Sequence, residues 1–156
     1  MSDAPSAPPT TLADFAFAHR LRVRWAELDP QRIVFNAHYL TYFDVALSEY
    51  MRAIGFKAPD GLATHGCDIV LANANLDFRA SARYDDELLV VARIAYLGRT
   101  SLRFRMACFR DDTLLVEARM AYVNVTLGEH VPAPLPAPFV AKVLAFESIA
   151  PERKVD

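Results

Sequence analysis

Apolar and polar residues alternate along the chain from residue 17 to residue 25. One side of this stretch consists of Phe17, His19, Leu21, Val23 and Trp25, and the other consists of Arg20, Arg22 and Arg24. A period of two over this length predicts a half-buried β-strand. We therefore expect a first strand here, followed by a loop over residues 27–36.

The spacing of apolar residues changes to three and four in the next segment. The recurring positions are Tyr39, Phe43, Ala46, Leu47, Tyr50 and Ile54. They form one apolar stripe and predict a helix over residues 37–54, which Gly55 ends. Because Tyr42 and Met51 widen the apolar arc, we expect a curved sheet to wrap around this helix.

Four strand-like segments follow a loop that we predict over residues 56–66. These segments cover residues 67–79, 87–97, 100–110 and 114–127. The connections between the last three are short, which predicts antiparallel hairpins. One strand, one long helix and four strands together predict an α+β fold with one antiparallel sheet packed on one long helix.

The outer face of the predicted sheet has a mixed character. The arginines of the first strand suit water, but other outward positions are too apolar for full exposure, namely Leu89, Val91, Ala121, Val123 and Val125. Large exposed apolar patches are uncommon on monomers. A homodimer would cover this face.

The two ends of the chain differ in composition from its middle. Residues 1–14 are rich in Ser, Ala and Pro and are predicted to form a disordered tail. Residues 15–130 form the predicted domain. Residues 131–156 are a proline-rich segment with a short helix over 139–147, which Pro138 would start.

Length and composition narrow the class of protein. The chain has 156 residues, of which 53% are hydrophobic and 23% charged, which fits one globular domain. A net charge of -2 argues against a nucleic-acid binder. No apolar run approaches the ~20 residues of a membrane span. The N-terminus lacks the pattern of a secretory signal, so we expect a cytoplasmic protein.

Several kinds of site are disfavoured by the motifs. The four histidines are isolated at positions 19, 38, 65 and 130, without the spacing of metal ligands, so we predict no metal. There is no Gly-x-Ser-x-Gly elbow and no glycine-rich phosphate loop. Cys67 and Cys108 lie in apolar runs and are predicted to be buried thiols.

Asp29 is the candidate catalytic residue, because it lies just ahead of the long helix. Backbone N–H groups at a helix start are unpaired, and the helix dipole is positive there. A reacting carbonyl could be held at such a place. The ordinary role of an Asp before Pro30 is that of a turn or cap residue.

Three segments around this position resemble a known family. They are Arg24-Trp25-Ala26-Glu27-Leu28-Asp29-Pro30 continuing through Ile33 to Phe43, Phe78 to Leu88, and Gly98 to Phe104. In this order they resemble the acyl-CoA thioesterases of the 4-hydroxybenzoyl-CoA thioesterase group, which include the enzymes associated with the Tol–Pal system. The resemblance implies the hotdog fold, a five-stranded antiparallel sheet around a long helix. It also implies a homodimer or homotetramer with the active site between two protomers.

The resemblance implies roles for particular residues. Asp29 would act as general base or nucleophile on the thioester. The backbone N–H of Asn36 or Ala37 would stabilise the oxyanion, and Tyr39 would line the substrate site. The Asn36 side chain is either a positioning group or a helix N-cap.

Arginines would meet the phosphates of coenzyme A, because Arg suits phosphate geometry. The candidates are Arg83, Arg99 and Arg103, with Ser101 beside the pantetheine channel. His38 is predicted to pack rather than to catalyse. Glu49 is a minor candidate for the catalytic acid, since a related subgroup carries its carboxylate on the helix.

The sequence departs from the family at two positions. The family usually has glycine where this chain has Arg32, and relatives carry His or Tyr where it has Asn36, which cannot act as a general base. We expect an acyl-CoA thioesterase that needs no cofactor, since coenzyme A is part of the substrate. The alternatives are an enzyme of the same fold acting on acyl carrier protein thioesters, a hydratase, or a non-catalytic acyl-CoA binder.

Overall fold

The computed structural model describes residues 10–154. The strands are β1 (Phe17–Arg22), β2 (Cys67–Phe78), β3 (Glu87–Leu97), β4 (Ser101–Arg110), β5 (Thr113–Thr126) and β6 (Glu152–Arg153). The helices are α1 (His38–Ala53), α2 (Asp60–Ala63) and α3 (Ala137–Phe146), with short 3₁₀ turns at Leu12–Asp14 and Trp25–Glu27.

The strands form one sheet in the order β1-β3-β4-β5-β2, and neighbours in this order are antiparallel. This confirms the α+β prediction and the five-stranded hotdog arrangement. The sixth strand, β6, pairs with β3 in parallel and was not predicted. Two paired residues are too few to produce a readable alternation of apolar and polar positions.

The long helix α1 supplies the centre of the core. Its buried residues are Tyr39, Tyr42, Phe43, Ala46, Leu47, Tyr50 and Met51, which is the wide apolar arc predicted from the sequence. Tyr50 packs edge-to-face against rings from β1, β4 and α3. The sheet therefore curves around α1 and fixes the direction in which its N-terminus points.

The first strand is shorter than its alternation predicts. β1 ends at Arg22, and Trp25 lies in a 3₁₀ turn with 72% of its surface exposed, so its predicted place on the buried side is wrong. The turn forms because the Glu27 carboxylate accepts the Arg24 N–H at 2.8 Å. A local side-chain hydrogen bond thereby replaces continued pairing with β3. The loop predicted over 56–66 likewise contains the short helix α2.

The N-terminal segment covers part of the outer face of the sheet. Leu12 and Phe15 pack against an outer cluster formed by Val91, Ala107 and Phe109. The predicted disorder is therefore wrong for residues 10–14, because Leu12 in this segment packs against the sheet. Residues 1–9 of the predicted tail lie outside the described residues.

The C-terminal segment packs into the same core. Phe139 and Val143 of α3 are fully buried. The Glu147 carboxylate just after α3 accepts the Tyr50 hydroxyl at 2.5 Å and the Ile94 N–H at 2.8 Å. This buried carboxyl links α1, α3 and β3.

Candidate active site

Asp29 lies in a tight loop that its own side chain helps to form. The Asp29 N–H donates to the Ile33 carbonyl, and the Arg32 N–H donates to the Asp29 carbonyl, both at 2.9 Å. Oδ1 of Asp29 accepts the Gln31 N–H at 2.7 Å. Within residues 10–154, Oδ2 accepts no hydrogen bond. The turn role of Asp29 thus leaves one carboxylate oxygen free for chemistry.

Arg32 occupies a backbone conformation that favours glycine. Its φ is 60°, in the left-handed region. Glycine, which the resemblance implies at this position, adopts this conformation without steric cost. The Arg32 side chain is exposed, so its bulk is directed away from the packed core.

Glu27 anchors the Asp29 loop to α1, and the sequence reasoning missed it. Its buried carboxylate accepts the Tyr42 hydroxyl at 2.6 Å and the Arg24 Nε at 2.9 Å. Its backbone carbonyl accepts the Phe35 N–H at 2.9 Å. The segments before and after Asp29, at Arg24 and at Phe35, are therefore both hydrogen-bonded to Glu27. The capping-box spacing of an acid three residues after Arg24 was the available signal.

The charge of Glu27 is stabilised in place. Burial acts to raise the pKa of Glu27, but hydrogen bonds from Tyr42 and Arg24 and the charge of Arg24 hold it below its ordinary value. The carboxylate is therefore ionised at neutral pH. In that state it accepts hydrogen bonds only, which suits the donors around it.

Two free N–H groups lie at the start of α1. Neither the Asn36 nor the Ala37 N–H donates to an acceptor within residues 10–154. The N-cap residue is Ala37, and the Asn36 side chain makes no cap hydrogen bond, so the N-cap role considered for Asn36 is wrong. The positive end of the helix dipole adds to these donors. Together they form a place where developing negative charge is stabilised.

Asp29 and two residues at the start of α1, Asn36 and Tyr39, line one cavity. It has a volume of about 280 Å³ and brings together Asp29, Asn36 and Tyr39, with Phe78, Arg79 and Ser81 on the other wall. The Tyr39 hydroxyl accepts the Ala82 N–H at 3.1 Å, which ties the helix to the chain after β2. Burial raises the pKa of Tyr39, so its hydroxyl stays protonated at neutral pH.

A second cavity lies on the other side of Asp29. It has a volume of about 610 Å³, and its lining includes Arg83, Arg32 and the edge-to-face ring pair of Trp25 and Tyr84. Arg83 therefore lines the same cavity as the candidate acid. An arginine pair beside exposed aromatic rings is suited to a phosphate-bearing ligand.

Arg99 and Ser101 lie at the far end of the sheet from Asp29. Ser101 pairs with Val123, which pairs with Val70 near the beginning of β2. The Asp29 cavity is instead lined by Phe78, at the end of β2. Phe78 is eight residues after Val70, and at about 3.3 Å per residue the two are roughly 26 Å apart along the strand. One protomer therefore does not bring Arg99 and Ser101 to the candidate acid.

The remaining candidates lie outside the Asp29 cavity. His38 makes an edge contact with the Phe35 ring, in keeping with packing. Glu49 pairs with Arg52 on the helix at 3.2 Å, and Arg103 stacks over the Tyr96 ring at 4.5 Å.

In the described part of the chain, no cluster of three or more His, Cys, Asp or Glu side chains could hold a metal. No helix there is long and apolar enough to cross a membrane.

An antiparallel sheet wrapped around a helix, with a lone carboxylate beside the helix start, defines a hotdog protein of the thioesterase type. Residues 31–117 match the family described as the thioesterase superfamily. The chain belongs to the thioesterase superfamily. Asp29 lies two residues before the matched region, so its place in the site rests on the geometry above.

Individual relatives agree with this membership. The acyl-CoA thioesterase YbgC of Haemophilus influenzae is 27% identical over 84 residues, which are 54% of this chain and 62% of that protein. A relative from Aquifex aeolicus is 34% identical over 83 residues, which are 53% of this chain and 64% of that protein. The chain thus aligns with less than two thirds of the length of either relative.

Solved structures extend the likeness over most of the chain. A thioesterase from Thermus thermophilus, crystallised with coenzyme A and Zn, is 29% identical with a TM-score of 0.75 and covers 87% of this chain and 97% of its own. A hypothetical protein from Aquifex aeolicus is 28% identical with a TM-score of 0.76, covering 81% and 98%. These likenesses support the fold along with the family.

Proposed function

We propose that this protein is an acyl-CoA thioesterase, which converts an acyl-CoA and water into a carboxylic acid and coenzyme A. One observation carries the proposal: Asp29, whose Oδ2 accepts no hydrogen bond within residues 10–154, lines the same cavity as Asn36, whose N–H has no acceptor there. A base and an oxyanion site are the two parts that thioester hydrolysis needs. YbgC and the thermophilic structure with coenzyme A support the substrate class.

The geometry suits two related reaction sequences. As a general base, Oδ2 of Asp29 takes a proton from water, the water oxygen attacks the thioester carbon, and the C–S bond breaks. The thiolate then leaves and the proton returns to it. As a nucleophile, Asp29 itself displaces the thiolate to give an anhydride, which water then hydrolyses to the acid.

The oxyanion site favours the step common to both sequences. Negative charge develops on the thioester oxygen during attack, and the N–H groups of Asn36 and Ala37 are directed to stabilise it. A donor of this kind contributes roughly 2.7–4 kcal/mol to the transition state. Because a thiolate is a good leaving group, the site needs no strong acid, and one carboxylate is sufficient.

We further propose that the active form is a homodimer joined through β2. The edge of β2 that faces away from β5 has no partner strand among the described residues, and Val70, Leu71 and Phe78 on this strand are exposed. A long apolar edge favours pairing with another strand. A two-fold axis that pairs β2 with its own copy reverses its direction. A tetramer would be a pair of such dimers.

This dimer would also account for the distance between Asp29 and the predicted coenzyme A contacts, Arg99 and Ser101, within one protomer. Antiparallel pairing places the beginning of one β2 beside the end of the other. The partner's Ser101, which lies in line with the beginning of β2, then approaches the Asp29 cavity. The predicted coenzyme A contacts would come from the neighbouring protomer.

The function is tested by following free thiol over a panel of acyl-CoA substrates. The panel runs from acetyl-CoA to decanoyl-CoA and includes benzoyl-CoA. We expect thiol release at rates that depend on enzyme concentration for at least one substrate. Absence of release from all of them would overturn the proposed hydrolysis, and tight binding without release would indicate a non-catalytic acyl-CoA binder.

A further inference from the structure

The connection between β2 and β3 separates the two cavities that Asp29 lines. Residues 78–81 form part of the wall of the first cavity, whereas Arg83 and Tyr84 line the second. Ala82 lies between them in the chain and is fully buried. The connection contains no helix or strand, so its shape depends on individual hydrogen bonds. Its position therefore affects both sides of the candidate acid.

Ala82 links this connection to the Asp29 loop and to α1. Its N–H donates to the Tyr39 hydroxyl at 3.1 Å, and its carbonyl accepts the Val34 N–H at 2.9 Å. Val34 in turn forms an antiparallel bridge with Leu28 at the base of the Asp29 loop. A shift of Ala82 would therefore move the loop that carries the candidate acid relative to the start of α1.

Arg110, at the end of β4, holds the segment from Ser81 to Asp86 in place. Its Nη1 donates to the Ser81 carbonyl at 3.2 Å and to Oδ2 of Asp86 at 2.8 Å. The same Asp86 oxygen accepts the Arg83 N–H at 2.8 Å. One guanidinium therefore joins both ends of the segment that contains Ala82.

The ion pair of Arg110 and Asp86 is partly shielded from water. The Arg110 side chain is 34% exposed and the Asp86 side chain is 22% exposed. Such a pair is screened less than one on an open surface. Its charge also reaches Tyr39: burial raises the pKa of that hydroxyl, and the Ala82 N–H and the Arg110 charge are among the effects that oppose the rise. Neither member of the pair lines either cavity, so both would act through other residues.

We propose that Arg110 and Asp86 form a positioning pair for thioester hydrolysis, which holds Ala82 and thereby sets the Asp29 loop against the start of α1. This inference rests on the proposed thioesterase function. The pair takes no part in proton transfer. It keeps the base and the helix-start N–H groups in the relative geometry that attack on the thioester requires.

The role of the pair is tested first with Arg110→Ala. Loss of the guanidinium frees the segment that contains Ala82, and a misplacement of about 1 Å can cost roughly 10²-fold in rate. We therefore expect kcat for the best acyl-CoA of the panel to fall about 10- to 100-fold, with KM little changed. Arg20→Ala is the matched control. It removes the exposed ion pair with Glu87, which has the same length of 2.8 Å, and should keep the wild-type kcat.

Two further measurements separate positioning from general stability. Because the two charges act as a unit, the double variant of Arg110→Ala and Asp86→Asn should be about as slow as Arg110→Ala alone. Guanidinium ion at millimolar concentration should restore part of the kcat of Arg110→Ala and leave that of Arg20→Ala unchanged. All rates are measured at a temperature where circular dichroism shows each variant to be folded. If Arg110→Ala does not fold, Asp86→Asn takes its place.

Amide hydrogen exchange tests the geometry without relying on catalysis. The Ala82 and Val34 amides should exchange faster in Arg110→Ala than in wild type, and should be unchanged in Arg20→Ala. A folded Arg110→Ala protein with wild-type kcat would overturn the inference, as would a loss of kcat/KM that lies entirely in KM. Both outcomes need an active wild type. They are therefore distinct from failure of the proposed function, in which the wild type itself releases no thiol.

Discussion

Asp29 lines the cavity and uses one carboxylate oxygen to form its own turn, while the other accepts no hydrogen bond within residues 10–154. The sequence allowed both readings, and the structure shows that the turn does not prevent a chemical role. Glu27 could not be assigned in the same way. Its partner Tyr42 is 15 residues away and meets it only after α1 has packed. The contact with Tyr42 leaves no pattern in the sequence, so the spacing of Glu27 three residues after Arg24 was the available signal for its role.

The Glu27 anchor is tested by Tyr42→Phe. This change removes a hydrogen bond to a buried carboxylate, so we expect a loss of about 1–3 kcal/mol in the free energy of unfolding at pH 7. We also expect a lower kcat, because the Asp29 loop is less fixed. Urea unfolding and thiol release measure these two effects. Tyr84→Phe is the control, since the exposed Tyr84 hydroxyl has no partner in residues 10–154.

The effect of Tyr42→Phe should depend on pH. The pKa of Glu27 is lowered by folding, so its stabilising contribution is present above the unfolded value of about 4.3 and is lost as pH falls through the folded pKa. The difference between wild type and Tyr42→Phe should therefore shrink below about pH 4. A difference that stays constant down to acid unfolding would show that Glu27 ionisation is not involved.

At the scale of elements, the spacing of apolar residues was sufficient to locate the long helix and the four long strands. The bounds of β3 were predicted correctly, and those of β2, β4, β5 and α1 were within one residue. Periodicity failed where a local hydrogen bond ended the pattern, as at Trp25. It also gave no sign that Glu147 would pair with Ile94 of β3, because that contact depends on how α3 is placed.

The contribution of the Glu147 carboxyl to the packing of α3 can be tested through its dependence on pH. Burial raises the pKa of this carboxyl, against the opposing hydrogen bonds from Tyr50 and Ile94 and the charge of Arg93. Its protonated form is therefore favoured by folding, and this stability is lost as pH rises from about 4.3 through the folded pKa. Wild type should lose stability over this window relative to Glu147→Gln.

Thermal unfolding from pH 4 to pH 8 measures this difference. Glu129→Gln, in an exposed turn, is the control for loss of one surface charge. If wild type and Glu147→Gln keep a constant difference over the whole range, the carboxyl is not buried in the way described.

At the scale of the whole molecule, one protomer does not bring all of the predicted site residues together. The sequence predicted one site containing Asp29, Asn36 and Tyr39, because they are close together in the chain, and all three line one cavity. It could not show that Arg99 and Ser101 lie at the opposite end of the sheet, because that follows from strand register. In the homodimer proposed above, these two ends of the sheet would come together.

The dimer is tested by a charge on the edge of β2. Leu71→Lys places a cation on the exposed strand, and we expect it to block pairing. Analytical ultracentrifugation should then show a monomer, and thiol release should fall with it. Leu144→Lys, on an exposed position of α3, is the control and should remain dimeric. A Leu71→Lys dimer with normal activity would rule out this interface.

The most direct test of the account is the rate of thiol release by Asp29→Asn on the best acyl-CoA of the panel. Asparagine keeps the shape of the turn but cannot take a proton or attack the thioester, so kcat should fall by roughly 10²–10⁴-fold. Asp111→Asn, in the exposed turn between β4 and β5, should retain the wild-type rate. An Asp29→Asn protein that is folded and fully active would contradict the assignment of this carboxylate as the catalytic group.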